Sequence, residues 1–207
     1  MISGIEKFYC KSRLHAYIWR WIANKLFPVF ISYFPPSPFV LEIGTGQGVG
    51  AIYLAEKLKG SKFIGIDYEH DMVKTAIQNV QKSGLGDRIR VEWGDAAALH
   101  FPDSSFDAVI SIGVLHHVPG YEKAIIEAAR VLKRGGIFFI VDFDLKASRI
   151  FSSIEILFGR PASIFSWGEM SEVLEKAGFE ILKVEFYGMG MFASASVKRY
   201  DGLDKKS

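Results

Sequence analysis

A chain of 207 residues, 49% hydrophobic and 23% charged, has the size and composition of a soluble α/β domain able to bury a sheet. Its formal net charge of +2 gives no global electrostatic case for binding nucleic acid. Its one cysteine, Cys10, excludes an internal disulfide and any zinc site built on cysteines.

Residues 1–36 are aromatic and basic, with Lys7, Lys11, Arg13, Arg20 and Lys25 set against Glu6 alone. A helix from about Ser12 to Leu26 would place Leu14, Ile18, Trp21 and Ile22 near one face. Such a segment fits a cap that closes a pocket; the other reading is peripheral contact with an anionic membrane. Charges at Glu6, Lys7, Lys11 and Arg13 interrupt any early secretory core, so a cytoplasmic protein is expected. The uncharged run from Leu26 to Leu41 is too short and too rich in proline for a spanning helix.

Pro35-Pro36-Ser37-Pro38 delivers the chain into an apolar strand, Phe39–Ile43, broken by glycines at 44, 46, 48 and 50. Val49 to Leu58 then resumes at helical spacing. Glycine suits this turn because it accepts positive φ and has no Cβ to keep a ligand from the backbone. The spacing does not fit a dinucleotide fingerprint, whose third glycine would fall at Val49, nor a phosphate loop ending in Gly-Lys-Ser/Thr.

Lys62 to Ile66 reads as a second strand ending at Asp67, followed by a helix carrying Met72, Val73, Ala76, Ile77 and Val80. Arg88 to Trp93 and Phe106 to Ile112 are a third and a fourth strand, and Tyr121 to Leu132 is a helix. Gly135-Gly136 is expected to turn the chain into a fifth strand, Ile137 to Val141. The 143–165 segment departs from the alternation, with Ile150, Phe151, Ile154, Leu157 and Phe158 suggesting a short apolar helix. Ser166 with Glu169 forms a capping box for a helix ended by Gly178. The alternating runs Leu182/Val184/Phe186 and Met191/Ala193/Ala195/Val197 read as a closing hairpin. Strand–helix alternation of this kind predicts an α/β fold, doubly wound, with a mainly parallel seven-stranded sheet and a C-terminal antiparallel hairpin. The layout is one domain: a 1–36 cap, a 37–142 core, a 143–165 insertion and a 166–200 helix and hairpin.

In such sheets the ligand lies outside the carboxyl ends of the strands. Asp67 stands there, and a carboxylate at that point can accept both hydroxyls of a ribose; it can equally cap the next helix. Gly94-Asp95-Ala96 ends the third strand at the same edge, where an acid can accept an exocyclic amine and small neighbours admit a flat base. Met72 is placed to cover that ring.

Leu41-Glu42-Ile43-Gly44-Thr45-Gly46-Gln47-Gly48, Gly65-Ile66-Asp67, Gly94-Asp95-Ala96, Phe106-Asp107-Ala108-Val109, Leu115-His116-His117-Val118 and Arg130-Val131-Leu132-Lys133-Arg134-Gly135-Gly136 follow one another in a known order. In this the chain, over residues 39–142, resembles the class I S-adenosylmethionine-dependent methyltransferases, in their quinone-biosynthesis-like, small-molecule branch (methyltransferase domain 11 type). The resemblance implies a Rossmann-like domain that binds S-adenosylmethionine and releases S-adenosylhomocysteine. It implies Gly44 and Gly46 at the methionine part, Glu42 orienting that loop or the ammonium, backbone near Ser111 on the same group, and Thr45 and Gly48 among the cofactor-binding residues. The Asp67 reading at the ribose and the Gly94, Asp95, Ala96 and Met72 reading at the base agree with it, and Tyr68 is a further expected cofactor-binding residue. Arg134 departs from the proline usual before the paired glycines.

His116 follows the fourth strand where relatives face the acceptor, and an imidazole there can take a proton from an attacking hydroxyl or amine. Tyr9 or Tyr17 is a weaker candidate to complete a dyad. Transfer from a sulfonium needs mainly alignment and exclusion of water, so the base is optional and no metal is called for. The expected reaction is in-line transfer of a methyl group to an O, N or C atom of a small, apolar or aromatic acceptor. Alternatives are a nucleic-acid or protein methyltransferase and a cofactor-binding protein without catalysis. Against the nucleic-acid reading, Ser111-Ile112-Gly113-Val114 stands where base-amino methyltransferases typically carry Asp/Asn-Pro-Pro-aromatic.

Overall fold

The computed structural model describes residues 17, 24–28, 30–144, 146, 163, 165–187 and 191–198. Seven strands form one sheet: β1 (Phe39–Ile43), β2 (Lys62–Asp67), β3 (Ile89–Trp93), β4 (Phe106–Ile112), β5 (Leu132–Phe143), β6 (Phe179–Phe186) and β7 (Met191–Lys198). Their spatial order is β3-β2-β1-β4-β5-β7-β6. β1 to β5 pair in parallel, and β7 lies antiparallel between β5 and β6. The order reverses between β1 and β4, so the loops leaving those two strands open a crevice at the carboxyl edge.

Among the described residues, the helices that connect the strands are α1 (Val49–Lys57), α2 (His70–Ser83), α3 (Tyr121–Val131) and α4 (Trp167–Lys176). Both faces of the central strands are apolar because helices cover both. Leu41, Ile43, Val109, Phe138 and Ile140 pack under α3 and α4. Val40, Ala108, Ile110, Phe139 and Val141 face α1 and the segment around Phe30. The rings of Phe27 and Phe30 lie 5.2 and 5.0 Å from that of Phe139. That part of the aromatic N-terminal region therefore covers the sheet; Tyr9 and most of the expected 12–26 helix lie outside the described residues, as does most of the 143–165 segment. Among the described residues no helix is long and apolar enough to cross a membrane.

Two expectations need correction. Gly135-Gly136 is not a turn before the fifth strand, for β5 begins at Leu132, directly after α3. Phe106 pairs with Leu132 and Ala108 with Ile137, so Lys133–Gly136 bulge out of a strand that continues through them. The hairpin is also longer at its start and irregular. Ile181 and Lys183 oppose Ser196 and Ala195, which leaves Leu182 as an extra residue. Leu182 is exposed, and the expected Leu182/Val184/Phe186 stripe is broken by this bulge. The Ser166–Glu169 capping box is present as expected.

Candidate active site

The glycine loop is held from below by two acids. Glu42, at the end of β1, is 3% exposed. Its Oε2 accepts hydrogen bonds from Thr45 Oγ1 at 2.5 Å and from the Ala51 backbone N–H of α1 at 3.1 Å. Burial is the main cause that lifts its carboxyl to about 7, against the lowering effect of those two donors, and nearby Asp67 adds to the rise. Asp67, at the tip of β2, accepts from Gly46 N–H at 2.8 Å and from Glu69 N–H at 2.9 Å, one on each oxygen. Burial raises its carboxyl above the ordinary range despite these bonds. Each oxygen keeps a second lone pair for a hydroxyl.

The loop presents its residues in different directions. A Cβ on Gly46, whose φ is +54°, would meet nothing within 4 Å, so this residue offers its backbone to open space. A Cβ on Gly44 would fall 2.4 Å from Val114, which brings the loop after β4 against the glycine loop. The Thr45 side chain is buried and turns beneath the loop toward Glu42 and Gly65. Gly48 is the N-cap of α1.

Around the neighbouring tips, Gly94 N–H donates to the Asp67 carbonyl at 3.2 Å, tying β3 to β2. Asp95 is half-buried and its Oδ1 accepts from Ala97 N–H at 2.8 Å, an Asx turn. Ala96 and Met72 are buried. Tyr68 is 58% exposed, its ring 5.9 Å from that of Trp93, which itself stacks on His70. Ser111, at the end of β4, is buried and its Oγ has no hydrogen-bond partner in the structure.

On the other side of the crevice stands a pair that local sequence reading found only in half. His116 is 4% exposed and its Nδ1 lies 2.5 Å from Oδ1 of Asp142, which is fully buried at the end of β5. Asp142 also accepts from Leu115 N–H and Phe143 N–H, at 2.9 and 2.8 Å. The tautomer with its proton on Nδ1 gives that carboxyl oxygen a donor, and Nε2 is then the acceptor nitrogen of the ring. The ring of His116 lies 3.7 Å from that of His117 and edge-on to Phe143 at 5.7 Å. Asp142 has one signal in the sequence: it is the first acid after the apolar run 137–141, at the carboxyl edge that His116 also follows. Tyr17 is 70% exposed, and no contact joins it to this pair among the described residues.

A nucleoside carrying an amino-acid tail fits these residues. Gly46 leaves room for close approach, Asp67 offers lone pairs beside it, and the Ser111 hydroxyl is buried without a partner. Residues 41–140 match a family described as a methyltransferase domain. The chain belongs to this family, the S-adenosylmethionine-dependent methyltransferases. The chain is 34% identical over 159 residues to a sterol 24-C-methyltransferase of Gibberella zeae, covering 72% of this chain and 41% of that protein. It is 37% identical over 103 residues to a fatty-acid O-methyltransferase of Mycolicibacterium smegmatis, covering 50% of this chain and 36% of the other. A phosphatidylethanolamine N-methyltransferase of Cereibacter sphaeroides is 30% identical, with 62% of each chain covered. The methyltransferase chain thus spans between 36% and 62% of the length of these curated relatives. Among solved structures, a Pyrococcus horikoshii protein superimposes with a TM-score of 0.79 at 21% identity, covering 92% and 93% of the two chains. The [4+2]-cyclase SpnF does so at 0.73 and 22%, covering 87% and 83%. Both likenesses concern the fold of the methyltransferase domain.

Proposed function

We propose that this chain transfers the methyl group of S-adenosylmethionine to a small acceptor with an apolar body, and that His116 receives the proton the acceptor loses. The observation that carries the second half is the buried pair of His116, in the turn beyond β4, and Asp142, at the end of β5. Sterols, fatty acids and phosphatidylethanolamine, named in the relatives, are all lipids, which supports an acceptor that is apolar away from its reacting atom.

Bound S-adenosylmethionine supplies an activated methyl group on a good leaving group. What this chain adds is placement and a proton acceptor. Gly46 N–H and Asp67 form the rim for the ribose, Asp95 for the base, and Glu42 with Thr45 fixes the loop that Gly44 and Gly46 present to the amino-acid tail. Ser111 adds a donor at the end of β4. Asp142 holds the Nδ1 proton of His116 and so directs Nε2 to accept a proton from a hydroxyl or an amine, by the orienting logic of paired acid–imidazole sites. Positioning alone is worth effective molarities of order 10⁵ M, so the imidazole tunes a reaction that alignment already favours.

The test is a split between binding and turnover. His116→Ala keeps the calorimetric affinity for S-adenosylmethionine and lowers turnover by about 10²-fold on a hydroxyl acceptor, the low end for general bases. Equal turnover in variant and parent removes the proton-acceptor role. Absence of cofactor binding in the parent removes the transferase reading.

A further inference from the structure

Glu42 has more consequence than holding a loop in shape. Both hydrogen bonds that it accepts fall on Oε2, and a Cβ on Gly50 would lie 2.0 Å from Oε1, so the carboxyl is packed hard against the first turn of α1. The groups that face it are few. From β2 it meets Asp67, another acid; from α1, the Ala51 N–H and the positive end of the helix; from β4, Ile112 beside Gly50. Among the described residues no lysine, arginine or histidine pairs with it. A carboxylate buried beside a second carboxylate, with two neutral donors for support, is costly to ionise. The Thr45 hydroxyl serves either form, since it can donate to a carboxylate or accept from a carboxylic acid.

The glycine loop runs between these two acids: Thr45 is bonded to Glu42 and Gly46 to Asp67. A ligand whose tail carries an ammonium, a sulfonium and a carboxylate brings a net positive charge onto that loop and favours the ionised form of any acid beneath it. We propose that Glu42 holds a proton in the free protein at mildly acid pH and gives it up to solvent when the cationic cofactor seats, so that binding is a proton exchange. The inference rests on the cofactor reading above. One O–H bond of the Glu42 carboxylic acid breaks, the proton passes to buffer, and the carboxylate left behind stays bonded to Thr45 and Ala51.

The sign follows from linkage: the bound state holds fewer protons, so affinity rises with pH while the free protein is still protonated. The rise approaches tenfold per pH unit and levels off near pH 7, where the burial-lifted Glu42 of the free protein itself ionises.

The experiment is calorimetric titration of the full chain with S-adenosylmethionine at about pH 6, repeated in buffers of different ionisation enthalpy. At that pH the amino group of the cofactor, like other α-amino groups of pKa about 7.7–8.0, remains protonated and adds little. The expected result is release of close to one proton per cofactor bound by the parent and none by Glu42→Gln. A binding constant that climbs between about pH 5.5 and 6.5 in the parent and stays flat in the variant agrees with this. Should the variant fail to fold, buffer dependence and pH slope of the parent decide by themselves. Binding with heats that do not depend on buffer overturns the inference and leaves the cofactor reading intact. Equal proton release by Glu42→Gln overturns it in favour of another acid, with Asp67 next in line. No binding at any pH overturns both readings.

Discussion

Glu42 and Asp142 are both buried acids at the carboxyl edge of one sheet, on strands separated by β4 alone. Asp142 has an imidazole and two backbone N–H groups around it; Glu42 has a hydroxyl, one N–H and a second acid. The difference teaches that burial does not assign a role to a carboxylate; its partners do. On the readings proposed above, the acid with a basic partner orients that partner, and the acid with only neutral donors answers the charge of the cofactor.

The largest effect that tests this contrast is on stability. Asp142→Ala leaves His116 and two N–H groups without their acceptor, and a loss of about 3–5 kcal/mol is expected from denaturant unfolding. Asp142→Asn, which keeps an acceptor oxygen, should lose less. A loss under about 1 kcal/mol for the alanine variant would remove Asp142 as an anchor.

Glu42→Gln should move the other way. The folded-state carboxyl sits at about 7 against an ordinary 4.5. Below 4.5 both states are protonated and nothing is lost. Between 4.5 and about 7 the unfolded chain ionises first, so the parent loses stability as pH rises. At pH 8 the glutamine variant should therefore be more stable by about 3 kcal/mol, a gain that fades toward pH 4.5. A constant difference across that range would contradict the description of Glu42 as a buried acid with only neutral donors on it among the described residues.

Asp67→Ala comes next. Its loss should weaken S-adenosylmethionine about tenfold to a hundredfold, equivalent to about 1.5–3 kcal/mol for hydrogen bonds to a charged group. An unchanged dissociation constant would leave Asp67 as a helix and loop anchor only. The smallest effect belongs to Gly46→Ala, where the backbone at φ +54° costs about 1 kcal/mol and no neighbour is struck. Gly44→Ala should cost visibly more, because its Cβ would overlap Val114. Equal thermal shifts for the two variants would mean that Val114 yields without cost.

Most of the backbone frame of the candidate cofactor site was legible in the chain because it is local. Strand, glycine turn and helix between Phe39 and Lys57, and the acid that ends β2, are written in periodicity and in the residues that punctuate it. Sequence reading also placed His116 beyond β4. It did not show that Thr45 turns under the loop or that Tyr68 lies out against Trp93. Those directions are set by packing, not by residue type.

By itself, then, the sequence determined the alternation of strands and helices, the sheet edge that carries the candidate site and the family to which the chain belongs. Hydrophobic period and glycine spacing act within a few residues, so they can be read without coordinates. Only the tertiary structure decided that His116 meets Asp142, 26 residues away, that Lys133–Gly136 and Leu182 bulge out of their strands, and that no cation among the described residues pairs with Glu42. Each of these depends on which strand lies next to which and in what register, a choice made by the packing of both faces of the sheet and carried by no single segment.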